Sequence, residues 1–178
     1  VTSTTQAPLL GSITNAVVRP DEMLSFRIYA SDLNGDQFTI GLDPGAPAGA
    51  IITNLVRNFP VPATNTTFHW RPSRDQASTT NIITVRVTDD GGPPLSSLQA
   101  FVVTVLDYVE VSVGSTNLQR GQTVSIPLSL ASSDGVTNLD FQLGWRADYL
   151  ANPALTIASP AVGAATLLDQ QTNLAISL

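Results

Sequence analysis

The chain has 178 residues, with eight Lys or Arg, fourteen Asp or Glu, one His and no Cys, and its net charge is −6. No basic stripe is present that could neutralise phosphates, which argues against a nucleic-acid partner and against an anionic membrane surface. The lack of Cys excludes thiol catalysis and Cys-ligated metal centres, and it favours a bacterial exported protein. No run of about 18 apolar residues occurs, so we expect no membrane insertion in this segment.

Short segments with an apolar residue at every second position run along the chain. In residues 24–30, Leu24, Phe26 and Ile28 alternate with more polar side chains. A period of two turns one set of side chains inward and the other outward, which is typical of a half-buried strand. The same alternation recurs at Phe38, Ile40 and Leu42; Ile83, Val85 and Val87; Phe101, Val103 and Val105; Val109, Val111 and Val113; Val124, Ile126, Leu128 and Leu130; Leu139, Phe141, Leu143 and Trp145; and Leu174, Ile176 and Leu178.

Turn signals rich in Gly, Pro, Asn and Asp separate these segments, at residues 34–36, 43–45, 90–94, 120–121 and 134–135. No amphipathic helix is evident, and many short strands between frequent turns favour a sandwich or barrel. One strand ends and the next begins around Asp107. We therefore predict an all-β fold with two tandem immunoglobulin-like β-sandwich domains, at residues 1–107 and 108–178, joined by a short and stiff linker.

The first of these domains resembles a cadherin-like, immunoglobulin-like module of large bacterial surface proteins. Four separated motifs carry the resemblance: a Glu-x-Leu-x-Phe start at 22–26, an Ala-x-Asp-x-x-Gly-Asp turn at 30–36, a Phe-x-Trp-x-Pro strand at 68–72 and a Val-x-Val-x-Asp-x-Gly turn at 85–91. They follow an opening strand at residues 7–10. The chain departs from the family at residues 53–66, where the family has a tight Gly turn.

The remaining residues resemble the beginning of a cohesin-type β-sandwich. The motifs lie at residues 111–114, 121–128 and 139–145, and they are followed by Leu150. Trp145 and Arg146 stand where that family has a Tyr-Asp pair. Such modules are about twice as long as this stretch, so the second domain is predicted to be incomplete. Either the sequence stops early, or another chain supplies the missing strands by β-augmentation.

A calcium site is the strongest site hypothesis, because Asp32, Asn34 and Asp36 place alternate oxygen-bearing side chains across a Gly-containing turn. Calcium takes six to eight oxygen ligands, and such a loop can supply three of them. The competing interpretation is ordinary turn chemistry, in which Asp and Asn bond to their own backbone. The closing Glu of an EF-hand is missing, so that motif is excluded.

The resemblance alone adds four further acidic residues as candidate calcium ligands. Glu22, Asp89, Asp90 and Asp107 resemble positions near module ends where cadherin-type repeats bind calcium. The resemblance thus implies calcium as the cofactor and all four residues as candidate ligands.

Other chemistry finds little support in the sequence. No Gly-x-Ser-x-Gly or Ser-x-x-Lys motif and no phosphate-binding Gly loop is present. A lone His69 is more often packed or solvated than catalytic, and Trp70 and Trp145 are expected in the core, which disfavours a carbohydrate platform. The glycosylation sequon that begins at Asn65 is predicted to lie in an exposed loop.

The leading hypothesis is therefore a non-enzymatic structural or adhesive segment of a large extracellular or cell-surface bacterial protein. Its stronger form is a fibre assembled by β-strand complementation, with other protein modules or copies of the chain as partners. The alternative is a binding module, for cohesin-like protein docking or for carbohydrate, attached to an exported enzyme.

Overall fold

In the computed structural model, the described residues are 5–53, 56–58, 62–137, 139–144, 154, 156, 166–169 and 173–177. The regular structure of these residues is β-strand, apart from one 3-10 turn at Arg74–Gln76. This confirms the predicted all-β fold. The chain divides into two compact units, residues 1–134 and 135–178, whereas the division into domains at residue 107 stays a prediction.

Fourteen strands are described. They are β1 Leu9–Leu10, β2 Ala16–Val18, β3 Leu24–Ser31, β4 Phe38–Leu42, β5 Ile51–Thr53, β6 Val56–Asn58, β7 Pro62–Trp70, β8 Thr79–Asp89, β9 Ser96–Val105, β10 Val109–Val113, β11 Leu128–Ser132, β12 Asp140–Gly144, β13 Thr166–Asp169 and β14 Asn173–Ser177.

Two sheets face each other in the first unit. One has the order β1-β3-β7-β5, with β6 also paired to β7, and the other has the order β2-β9-β8-β4. The amino-terminal segment contributes to both sheets, because β1 pairs antiparallel with β3 and β2 pairs parallel with β9. The other pairings in these two sheets are antiparallel.

The core between the two sheets is built from the inward-facing positions of the alternating strands. Phe68 and Trp70 on β7 are fully buried, and the Phe68 ring lies 5.0 Å from Phe26 and 5.4 Å from Phe101. These centroid distances are those of favourable aromatic pairs. The indole N–H of Trp70 donates to the carbonyl of Ala48 at 3.1 Å, so its one polar group is satisfied. The core position predicted for Trp70 is confirmed.

A two-stranded hairpin of β10 and β11 follows the sandwich within the first unit. Its register runs from Val109↔Ser132 to Val113↔Leu128. The alternating pattern predicts a strand from Val124 onward, but the structure has strand only from Leu128. Pro127 directly precedes it, and proline has no N–H with which to join a ladder.

The second unit contains an antiparallel sheet with the order β12-β14-β13. Trp145, Arg146 and Leu150, which carry part of the cohesin-type resemblance, lie outside the described residues. That resemblance therefore stays a prediction, as does the incompleteness of the second domain.

One loop prediction is wrong. The sequon residues Asn65, Thr66 and Thr67 lie within β7, between β3 and the short strands β5 and β6. Thr66 is fully buried, and its hydroxyl donates to the carbonyl of Thr53. A polar Asn-Thr-Thr run can form a central strand because threonine is β-branched and its hydroxyl finds a backbone acceptor.

Candidate metal centre

Two aspartates from one turn and a third from a distant strand meet at one end of the first sandwich. Asp32 follows β3, Asp36 precedes β4, and Asp89 is the last residue of β8. Each offers a carboxylate oxygen, and these oxygens lie within 4.8 Å of one another. The pairing of β4 with β8 explains the meeting, because Phe38 is opposite Asp89.

Asp32 organises the turn that carries Asp36. Its Oδ1 accepts backbone N–H bonds from Asn34, Gly35 and Asp36 at 2.7, 3.0 and 3.2 Å. Gly35 has a φ of +86°, a left-handed conformation that glycine adopts without steric cost. The predicted turn chemistry is therefore present, but it uses only one of the two carboxylate oxygens of Asp32.

Asp89 organises the neighbouring turn in the same way. Its Oδ1 accepts N–H bonds from Gly91 at 3.2 Å and Leu95 at 2.7 Å. The backbone N–H of Asp89 also donates to the carbonyl of Leu95 at 3.0 Å. Both turns thus fix one carboxylate oxygen by backbone donors and leave the other oxygen available.

The two remaining oxygens are the decisive feature of the cluster. Asp32 is 0% exposed and Asp89 is 4% exposed, and the Oδ2 atom of each is buried without a hydrogen-bond partner. Buried polar atoms are nearly always paired, and an uncompensated buried charge is costly. A hard divalent cation would supply the missing partner, because its preferred ligands are carboxylate oxygens. The donor set therefore fits calcium.

The charge of Asp36 is also unfavourable without a cation. Partial burial raises the pKa of the Asp36 carboxyl, and the nearby carboxylates of Asp32, Asp89 and Asp90 raise it further. Like charges within a few ångström disfavour ionisation, whereas a bound cation reverses that effect.

The other predicted ligands are placed differently. Asp90 is exposed and pairs with Gln37, whose N–H donates to Asp90 Oδ1 at 2.9 Å and whose carbonyl accepts from the Asp90 N–H at 2.8 Å. Asn34 is exposed beside the cluster, and its backbone N–H is one of the donors to Asp32. Both residues border the three clustered carboxylates.

Glu22 and Asp107 lie at the other end of the same strands. Glu22 precedes the eight-residue β3 and Asp32 follows it, and an eight-residue strand spans about 26 Å. Asp107 follows β9, whose last residue pairs with Thr79 at the far end of β8 from Asp89. The structure therefore does not bring these two residues to the cluster, and Glu22 instead forms an exposed ion pair with Arg19 at 3.8 Å.

Gly91 is a feature of the site that the sequence reasoning missed. A Cβ at this position would lie 3.0 Å from Asp36 Oδ2 and 3.4 Å from Asp89 Oδ1. The missing side chain therefore leaves room beside two of the clustered carboxylates. The available signal was the placement of Gly91 two residues after a strand-ending aspartate.

His69 remains in an ordinary strand position. It is half-buried on β7, where it pairs in register with Ser25 of β3 and Ile51 of β5.

The described part of the chain contains no helix that is long and apolar enough to cross a membrane.

No protein-family model matches the sequence, and no curated protein is significantly similar to it. Among solved structures, the chain is similar to the SrpA adhesin from Streptococcus sanguinis, with 18% identity, 59% of each chain covered and a TM-score of 0.46. It is similar to protocadherin gamma B2 extracellular cadherin domains 3–6, with 14% identity, 96% of this chain and 41% of that chain covered, and a TM-score of 0.48.

A third similar structure is a nucleoside hydrolase-related hypothetical protein from Saccharophagus degradans. Its identity is 14%, the covered shares are 57% of this chain and 26% of that chain, and the TM-score is 0.39. The chain spans less than two thirds of the length of each of these three structures.

Proposed function

We propose that this chain is a non-enzymatic, structural or adhesive segment of an extracellular or cell-surface protein, and that its first sandwich is stabilised by calcium. The observation that supports the proposal is the pair of buried carboxylate oxygens, Asp32 Oδ2 and Asp89 Oδ2, that have no hydrogen-bond partner. A ligand that binds only the folded state stabilises it. In this proposal the cation stabilises the folded module.

The composition of the site suits the calcium concentrations found outside cells. Among the described residues three carboxylates converge, and Asp32 and Asp89 each commit one oxygen to backbone donors. Few charged ligands give the weaker class of calcium site, with dissociation constants of about 10⁻⁴ to 10⁻³ M in extracellular modules. Such a site fills in an extracellular medium and stays largely free of calcium in cytosol.

Thermal unfolding of the full chain tests this function. We expect the melting temperature to rise in 10 mM calcium relative to a chelator, and magnesium to have a smaller effect because it demands a stricter octahedral geometry. Asp75→Asn is a matched control, since Asp75 is exposed in the 3-10 turn away from the cluster. Identical melting temperatures with calcium and with chelator would contradict the proposal.

Assembly through strand complementation is a second candidate, and it is favoured by the hairpin β10–β11. One face of this hairpin carries Val109, Val111, Val113 and Leu130, which are 36–52% exposed. Among the described residues this sheet contains two strands, so its edges can accept a further strand, and its apolar face is a common site of association. Light scattering on the full chain over a range of concentrations tests this candidate, and a monomer at every concentration would remove it. The alternative of a binding module attached to an exported enzyme stays a prediction.

A further inference from the structure

The loop between β7 and β8 is held firmly against the first sandwich. Ser73 and Gln76 form a capping box around the 3-10 turn, with the Ser73 N–H donating to Gln76 Oε1 at 2.9 Å. The amide of Gln76 also donates to the carbonyl of Ala48, and the hydroxyl of Thr79 donates to the carbonyl of Gln76 at 2.6 Å. Residues 73–78 therefore form a fixed platform.

Arg74 extends from this platform to the hairpin. Its Nε donates to Asp21 Oδ2 at 2.9 Å, and another guanidinium nitrogen pairs with Glu110 on β10. Its guanidinium carbon lies 5.2 Å from the centre of the Tyr108 ring, within the range of a cation–π contact. Hydrogen bonds to Asp21 and then to Glu110 raise the pKa of Arg74. One side chain thus joins the turn before β3 to the first strand of the hairpin.

Ser78 makes a second and separate connection. Its hydroxyl donates to Asp134 Oδ2 at 2.7 Å and lies 3.4 Å from the hydroxyl of Ser133, just beyond β11. Ser133 in turn closes the base of the hairpin, because its N–H donates to the Tyr108 carbonyl at 3.1 Å and its hydroxyl accepts from the Tyr108 N–H at 3.0 Å. Ser78 itself has a φ of +56°, an uncommon conformation for a residue other than glycine.

We propose that residues 73–78 act as an orienting clasp, which sets the direction of the hairpin β10–β11 relative to the first sandwich without a metal ion. A single contact would leave the hairpin free to pivot. Arg74 holds the first strand of the hairpin, whereas Ser78 holds the segment after its second strand, so two separated contacts define one orientation. The neighbouring Leu106 forms backbone hydrogen bonds with Val18 and Ser78. These bonds shorten the unpaired part of the chain between β9 and β10.

Salt is expected to weaken this clasp. The side chains of Arg74 and Glu110 are 48% and 45% exposed, and exposed ion pairs are individually weak and screened by ions. Calcium is expected to leave the clasp unchanged, because the acidic cluster lies at the other end of β3 and β8. The clasp therefore biases the orientation at low ionic strength and relaxes as salt rises.

The test measures the distance between the sandwich and the hairpin in the full chain. The protein has no Cys, so spin labels placed at Ile82→Cys on β8 and Ser112→Cys on β10 attach only there, and both positions are exposed. Pulsed electron spin resonance then gives the distribution of distances. The variant combines Arg74→Gln with Ser78→Ala, and the matched control is Arg27→Gln, an exposed arginine on β3.

We expect a narrow distribution for the unaltered chain at low salt. In the clasp variant, the hairpin orientation seen in the unaltered chain should become about five- to tenfold less populated relative to other orientations. This is the size expected from the loss of one exposed ion-pair network and one hydrogen bond. A smaller broadening should appear in the unaltered chain in about 1 M salt, where the Debye length is about 3 Å, because salt screens the ion pair of Arg74 but leaves the hydrogen bond of Ser78. An unchanged distribution in the variant, or equal broadening in Arg27→Gln, would overturn the proposal. Far-UV circular dichroism of the variant checks that the sandwich is still folded.

Discussion

Replacement of Asp89 by Asn should reverse the order of stability of the variant and the unaltered chain between chelator and calcium. The change keeps the oxygen that accepts N–H bonds from Gly91 and Leu95. It replaces the unpartnered Oδ2 with a neutral amide group and removes one negative charge from the cluster. Without calcium, Asp89→Asn should therefore be more stable than the unaltered chain, and with calcium it should be less stable.

The expected magnitudes follow from the geometry of the cluster. For two full charges 4.8 Å apart, the upper limit of the distances between these carboxylate oxygens, Coulomb's law at an effective dielectric constant of about 20 gives roughly 3.5 kcal/mol of repulsion, which protonation of one partner relieves in part. We therefore expect the variant to gain about 1–3 kcal/mol in chelator. Calcium at about 10 to 100 times the dissociation constant stabilises the unaltered chain by about 1.4–2.7 kcal/mol, and the variant should lose most of this.

Urea unfolding followed by tryptophan fluorescence is a suitable assay, because the fully buried Trp70 reports on the core. Each protein is unfolded in 10 mM calcium and in chelator, with Asp75→Asn as the control for the loss of one exposed carboxylate. The midpoints of Asp89→Asn and the unaltered chain should change order between the two conditions. If Asp89→Asn is less stable in both, or if calcium stabilises it as much as the unaltered chain, then the cluster does not bind calcium as argued.

Three more predictions concern other features. Gly91→Ala places a methyl group 3.0 Å from Asp36 Oδ2, so calorimetric titration should show weaker calcium binding with no change in charge. Phe68→Ala removes a fully buried ring, so urea unfolding should show a free energy of unfolding that is lower by about 3–5 kcal/mol. An unchanged free energy would contradict the assignment of Phe68 to the core. The hydrogen bond from Arg86 lowers the pKa of Asp43, so the stability that this pair contributes is present above the ordinary carboxyl pKa of about 3.9 and is lost as pH falls through the lower folded value. Asp43→Asn should remove the loss of stability at low pH that comes from this pair. An NMR titration of the Asp43 carboxyl with an ordinary midpoint would refute the lowered pKa.

The strands of the first sandwich could be predicted because their signal is local. Residues 24–30 and 38–42 alternate strictly, and they correspond to β3 and β4. The order of the strands has no such signal, and the parallel pairing of β2 with β9 joins residues that are more than 80 positions apart in the sequence. The polar run that contains Thr66 was interpreted as a loop because the burial of its hydroxyl depends on an acceptor, Thr53, in another strand.

The candidate site, too, could be predicted from the sequence only in part. Asp32 and Asp36 could be paired from the sequence because a five-residue turn keeps them close. Asp89 joined them only through a family resemblance, and the structure supplies the reason in the register of β4 with β8. The same resemblance also implies Glu22 and Asp107 as calcium ligands, and the lengths of β3 and β8 place these two residues at the opposite end of the sandwich from the three clustered aspartates.

The parallel pair β2–β9 has a mechanical consequence. Ala16 lies opposite Val103 and Val18 lies opposite Val105, and the N–H of Leu106 adds a bond to the carbonyl of Val18 at 2.9 Å. Tension that enters the sandwich before β2 and leaves it after β9 pulls these two strands past each other along their length. Their backbone bonds are then loaded together in shear rather than opened one at a time, so the first sandwich resists stretching at the point where the chain leaves it.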